Sequence, residues 1–449
     1  MIQSSRVRRT LTALSDSWRR AKPNRFHGTS PDRRGSRSHM DTSARLIIAS
    51  QLYPPDATTT AVYVSKIAES LARDRQVVVI SATQGSHATD QLDRPDIVEL
   101  KSWNPRKSAI VQRAAAICLL AGQMFFSVFR RARSGDIVFC VTTPFTLPYT
   151  VLLAARLRGA KTMLLIYDLY PEALEAAGMI RSNSFMARLI RLANTLLFRR
   201  LDAIIVIGRD VPPLIEKYRG VVANQLHFIP NWALIPIGYR KADPASRFRA
   251  SYPSRFIVGL SGNLGFTHAP ATVFEAARLL RNETDIHFVL SGWGVGWAVL
   301  NDLLAKDRLE NVTVLEPVAE DELVEFLSAA DLWVIPYRRH VTGVSIPSRL
   351  YNILAVGRPV IVTSEANSEG ALVLGEEAIG WVVPPENPAE LARAIREAAD
   401  DRQATMDKGV RAADVAEKYS EEVALARYRK VVNGISQART RRRAHAPYK

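Results

Sequence analysis

The residues best placed to do chemistry gather at 331–363, DLWVIPYRRHVTGVSIPSRLYNILAVGRPVIVT, where Ser345, Ser348 and Arg349 stand at the start of a helical pattern. The order strand, polar glycine-containing loop, helix, strand sets that helix start at the carboxyl end of a parallel sheet. Unpaired helix-start amides and the positive end of the macrodipole favour an anion there, and Arg349 can add a charge-assisted hydrogen bond, so the expected chemistry is phosphate binding. Two glycine turns, SGNLGFTHAP at 261–270 and SGWGVG at 291–296, offer close backbone approach through Gly262, Gly265, Gly292 and Gly294, with Asn263 and His268 as polar partners. The second turn is not a dinucleotide fingerprint, because Trp297 stands where the last glycine would be.

Carboxylates and hydroxyls form a second group, in the first half of the chain. Asp168 and Glu172 follow a strand in DLYPEALEAAG, where either could orient a sugar hydroxyl or take a proton; Asp168 could equally cap the helix that Pro171 helps to start. In SQLYPPDATTTAVYV, Tyr53, Asp56, Thr58 and Thr59 offer hydroxyls and a carboxylate to a polyhydroxylated ligand, and the same Asp and Thr residues suit plain helix capping.

These groups need elements to hold them. Short β-branched runs at 45–50, 77–81, 136–141, 162–167 and 203–207 alternate with helical patterns, the signature of parallel α/β layers. The pattern breaks at IPNWALIP, 229–236, and a second series follows at 255–262, 286–292, 312–316, 332–336, 359–363 and 380–383. The expected architecture is α/β, with two doubly wound, Rossmann-like domains facing a central cleft. The boundaries expected are a basic tail at 1–40, a first domain at 41–235, a second at 236–418, a closing helix at 419–435 and a basic tail at 436–449. Met40, just before the first strand, is an alternative start.

The net charge of +16 over 449 residues suggests a nucleic-acid partner until it is located. The ends 1–40 and 436–449 carry +8 and +5, leaving +3 for the body, so specific nucleic-acid recognition is not expected. Cys118 and Cys140 give neither a disulfide framework nor a metal-ligand set. The best apolar run, 114–129, is interrupted by Gly122, Gln123 and Ser127 and falls short of a spanning helix. Two basic amphipathic stretches, one flanked by Lys107, Arg113, Arg130 and Arg131, the other carrying Arg188, Arg191, Arg199 and Arg200, suit either a lipid interface or packing on a sheet. A cytoplasmic protein, peripheral on the inner face of the plasma membrane, is the expectation.

Taken together, YPPD with its threonines, DLYPE, HFIPNWA, SGNLG with His268, SGWG, and PSRLYNILAVGRPVI followed by WVVPP resemble glycosyltransferase family 4, of the GT-B fold, and within it the WbuB-type bacterial exopolysaccharide and O-antigen transferases. The resemblance implies retaining transfer from a UDP- or GDP-linked sugar to a glycan or polyprenyl-linked acceptor, with no cofactor and no metal. It implies donor binding by the second domain, through Gly262, Asn263, Gly265, His268, Gly292, Gly294, Ser345, Ser348 and Asn352, and acceptor binding by the first, through Tyr53, Asp56, Thr58, Thr59 and Glu172. Asp168 and Arg349 are the expected catalytic groups. The family's Glu-x7-Glu pattern falls on Val344 and Asn352, Phe266 stands where a basic residue is common and Trp293 where Asp is. A degenerate sugar-binding or partner subunit and a nucleotide-sugar 2-epimerase are the alternatives.

Overall fold

The structure, a computed structural model, describes residues 44–85, 93–103, 110–346 and 348–444, without the side chains of 110 and 438–444. The tail 1–40 with Met40, Lys107 and the last five residues lie outside the described residues. Residues 43–449 fall in one compact unit.

Among the described residues, thirteen strands build two sheets. The first holds β1 Leu46–Ser50, β2 Val77–Ser81, β3 Asp96–Glu99, β4 Ile137–Val141, β5 Lys161–Ile166, β6 Ala203–Val206 and β7 Leu226–Phe228, in the order β3-β2-β1-β4-β5-β6-β7. The second holds β8 Phe256–Asn263, β9 Ile286–Trp293, β10 Val312–Leu315, β11 Leu332–Pro336, β12 Val360–Thr363 and β13 Gly380–Val383, in the order β10-β9-β8-β11-β12-β13. All strand pairings are parallel. Strands β3 and β7 are absent from the sequence reading: DIVE and LHF are too short and too polar to stand out as apolar runs.

Parallel strands buried on both faces read as continuous apolar runs, and their side chains alternate between two cores. In β1, Ile47 and Ala49 enter one core while Leu46 and Ile48 enter the other; in β11, Trp333 and Ile335 part from Leu332 and Val334 in the same way. Helices of at least eight residues are numbered α1 Thr59–Ala72, α2 Ile110–Arg131, α3 Leu147–Leu157, α4 Phe185–Phe198, α5 Pro270–Leu279, α6 Val295–Lys306, α7 Ser348–Ala355, α8 Glu369–Glu377, α9 Pro388–Asp400, α10 Arg402–Ala416 and α11 Glu421–Ala444. The last of these packs back on the first sheet: Ala424, Leu425, Tyr428 and Val432 share a core with β1, β4 and α1. It extends to Ala444, so much of the stretch read as a tail at 436–449 is helical.

Helix α2 also corrects the sequence reading. Val111–Arg131 is long and apolar enough to cross a membrane by length and composition, Gly122 and Gln123 notwithstanding. One side of it, Leu120, Met124 and Val128, packs on the first sheet.

Candidate functional site

In each sheet the strand order reverses next to the first strand, between β1 and β4 and between β8 and β11. Ligands of open parallel sheets bind outside the carboxyl ends at such points. The loop after β8 (264–268) and the loop after β11 (337–346) therefore flank the second sheet's switch point, and both are stitched together. His268 and Tyr337 form an antiparallel bridge with their rings stacked at 4.9 Å, and the Thr267 hydroxyl donates to Ser345 Oγ at 3.1 Å. Helix α7 begins beside them at Ser348.

Arg349 lies under this loop pair. Its guanidinium donates to the carbonyls of Ser261 and Asn263, at the end of β8, so it braces the donor loop as well as carrying charge. Burial lowers its pKa to about 10, which leaves it protonated at neutral pH. His268 is held neutral: burial first, then the Arg349 charge, lowers its pKa to about 3, and its Nδ1 accepts the Gly265 N–H at 3.2 Å. In the neutral tautomer that bond dictates, Nε2 carries the proton and can donate to an anion. Gly262 and Gly292 are paired across β8 and β9, and Gly294 precedes α6, close against Asn263 and Leu264. A groove of about 610 Å³ continues outward from Gly265 and His268 along the starts of α5 and α6 to Arg338 and Glu386, large enough for a nucleoside.

Other expected site residues have structural partners. Asn352 accepts the Leu234 N–H at 2.8 Å through its side-chain oxygen, so that oxygen anchors the segment between the sheets and is not presented to a ribose. Val344 is buried. On the first sheet, Thr58 caps α1, its hydroxyl accepting from Ala61 at 3.4 Å, and Asp56 accepts the Thr58 N–H at 2.8 Å; capping is what these two do here. Thr59 is exposed in the first turn. Tyr53 packs into the core shared with α1, where burial raises its phenol pKa. Glu172 faces Arg191 at 3.6 Å, and burial raises its carboxyl.

Asp168 keeps the expected place at the carboxyl end of β5. Its side chain reaches the surface, yet the packed walls around it, Thr142, Phe145 and Tyr149 among them, desolvate the carboxyl and raise its pKa. The Thr142 hydroxyl accepts the N–H groups of Tyr167 and Asp168 at 3.1 and 3.2 Å and fixes that turn. Thr142, Thr267 and Tyr337 were not foreseen; Thr142 directly follows β4, and that position was its one visible signal.

Two parallel α/β halves, each with its switch-point loops at the carboxyl ends of its strands, have the architecture of the GT-B class. The comparisons agree. A glycosyl transferases group 1 model matches residues 255–401, and a glycosyl transferase 4-like domain model matches residues 58–232. The putative colanic acid biosynthesis glycosyl transferase WcaI of Escherichia coli (strain K12) is 31% identical over 304 residues, 66% of this chain and 74% of that one. The probable glycosyltransferase WbjE of Pseudomonas aeruginosa is 27% identical over 402 residues, 86% of this chain and 96% of that one. In structure, Anabaena Alr3699/HepE in complex with UDP-glucose superposes with a TM-score of 0.64 at 15% identity, over 87% of this chain and 99% of that one. The chain belongs to this glycosyltransferase family.

Proposed function

We propose that the protein is a retaining, metal-independent glycosyltransferase that moves a sugar from a UDP- or GDP-linked donor to a glycan or lipid-linked saccharide in surface-polysaccharide biosynthesis. The observation that carries this reading is the convergence of Arg349, neutral His268, Ser345 and the α7 start on one point at the switch of the second sheet. That point suits a diphosphate whose negative charge grows as the sugar leaves, and fixed donors there stabilise the departing group more than the ground state. The acceptor hydroxyl attacks the anomeric carbon on the face the diphosphate leaves, and a phosphate oxygen takes its proton. Asp168, across the cleft, orients the acceptor or sugar. A relative named for colanic acid biosynthesis and a neighbour crystallised with UDP-glucose support the donor class and the pathway type. The test is incubation with labelled nucleotide sugars and polyprenyl-linked saccharides, with product anomer read by NMR. Transfer with inversion would overturn the retaining assignment, and 2-epimerised UDP-N-acetylglucosamine formed without acceptor would favour the epimerase.

A lipid-linked acceptor calls for a membrane face, and one helical layer has the chemistry for it. Helices α2, α3 and α4 cover the same side of the first sheet and contain no Asp or Glu. Ala187, Ile190, Asn194 and Phe198 turn inward on α4, while Phe185, Leu189, Leu192 and Leu196 stay exposed beside Leu153 and Leu157 of α3. Arg156 on α3, Arg188 on α4 and Arg199 just after it are exposed on the same layer, Arg156 also lying 3.8 Å from Asp202. Apolar side chains with arginines on the same layer fit the interface of an anionic bilayer. A Leu189→Asp, Leu192→Asp protein is expected to bind phosphatidylglycerol vesicles about a hundredfold more weakly in co-sedimentation, from about 1.5 kcal/mol per lost leucine. Equal binding by the two proteins would remove this face from the reading.

A further inference from the structure

The two halves of the chain meet through a pair of buried carboxylates that the site described above leaves unused. Arg209 and Asp210 follow β6, and Glu369 opens α8; Asp210 is 7% exposed and Glu369 1%. Asp210 Oδ2 accepts the N–H of Gly343 at 2.9 Å and of Glu369 at 3.0 Å, the second bond placing a carboxylate at the start of a helix. Glu369 Oε2 in turn accepts the backbone N–H of Arg209 at 2.8 Å and its Nε at 3.0 Å, while Arg209 Nη1 holds both oxygens of Glu376. Gly343 is required in this clamp, because a Cβ there would come within 2.5 Å of the Asp210 carbonyl oxygen.

The clamp consumes one oxygen of each carboxylate. Asp210 Oδ1 and Glu369 Oε1 are buried with no hydrogen-bond partner among the described residues, and both residues line one recess with Tyr337, Ser345, Ser364 and Ser368. Leaving two such acceptors dry and unpaired forfeits their hydration with nothing in return. Their natural partner is a neutral group rich in hydrogen-bond donors. An anion is repelled, and burial raises both carboxyls, the Asp210 charge adding to the rise at Glu369. Tyr337 and Ser345 also belong to the loop pair beside Arg349 and His268, so the recess shares a wall with that loop pair.

We infer that Asp210 and Glu369 form a subsite for hydroxyl groups of the sugar carried by the nucleotide donor, with Asp210 contributed across the cleft by the other half of the chain. The inference rests on the nucleotide-sugar reading and assigns it a specificity determinant. It also brings a carboxylate to the loop where Val344 replaces the acid of the related pattern, since Asp210 bonds the adjacent Gly343.

Amide substitutions test it without breaking the clamp. In Asp210→Asn and Glu369→Gln the amide oxygen can still accept from Gly343, Glu369 and Arg209, while the amide NH2 now faces the recess and turns an acceptor into a donor. Calorimetry on the full chain compares UDP-glucose, UDP-N-acetylglucosamine and GDP-mannose with free UDP and GDP. Each variant is expected to bind the nucleotide sugar preferred by the wild type at least tenfold more weakly and the free diphosphate within twofold of wild type, with unchanged melting. Unchanged affinity for that nucleotide sugar, or an equal loss for sugar-bearing and sugar-free ligands, overturns the subsite. A wild-type protein that binds free diphosphate no less tightly than any nucleotide sugar also overturns it, leaving the diphosphate site intact. One that binds none of the five ligands overturns the glycosyltransferase reading itself.

Discussion

An Arg349→Ala protein is expected to lose kcat/KM for glycosyl transfer by roughly two to three orders of magnitude, the usual cost of removing one fixed donor to a developing charge. Two losses add here. The charge that meets the leaving diphosphate disappears, and the carbonyls of Ser261 and Asn263 lose the guanidinium that holds the β8 loop against α7. Arg349→Lys separates them, since an ammonium restores the charge but not the planar fork that reaches two carbonyls. It is expected to recover part of the diphosphate affinity and little of the rate. Calorimetry with UDP or GDP beside steady-state kinetics reads both, and full activity with full donor affinity in the alanine protein would remove Arg349 from the site.

The second large effect is steric. A Gly292→Ala protein is expected to melt well below wild type, with a loss of about 3 kcal/mol or more in urea titration. Gly292 pairs with Gly262 across β8 and β9, and a Cβ at 292 would overlap the Gly262 carbonyl oxygen and lie 2.6 Å from Trp297 Nε1. That nitrogen donates to the same carbonyl at 2.9 Å, so neither partner can withdraw without losing a hydrogen bond. Because the displaced strand ends carry Asn263 and the loop to His268, donor affinity should fall in parallel with stability. Wild-type melting in this variant would show that the strand ends separate easily and that the glycine is there for another reason.

Much of this was legible in the chain. Apolar runs of five or six residues, separated by helical periods, state a parallel α/β protein, because a strand buried on both faces must be apolar throughout. Eleven of the thirteen strands among the described residues overlap the runs so read, closely enough that the loops following them, with His268, Ser345 and Asp168, fall at carboxyl ends on sequence grounds alone. Polar residues with two local uses were harder. Thr58 and Asp56 cap a helix, and Asn352 ties down Leu234, because a side chain near an unsatisfied backbone group is claimed by it first.

What sequence determined by itself was therefore the layer type, the division into two halves and the place of the loop at 343–346 beyond a strand's carboxyl end. The tertiary structure alone decided which carboxylates meet that loop. Asp210 meets Gly343 across 133 positions and Glu369 across 159, and no local periodicity carries a contact of that span. It exists because two separately legible sheets dock with the carboxyl ends of β6 and β11 together, and docking depends on the shape of both surfaces at once. Asp210 in VIGRDVPP reads as a turn residue until the second sheet closes over it.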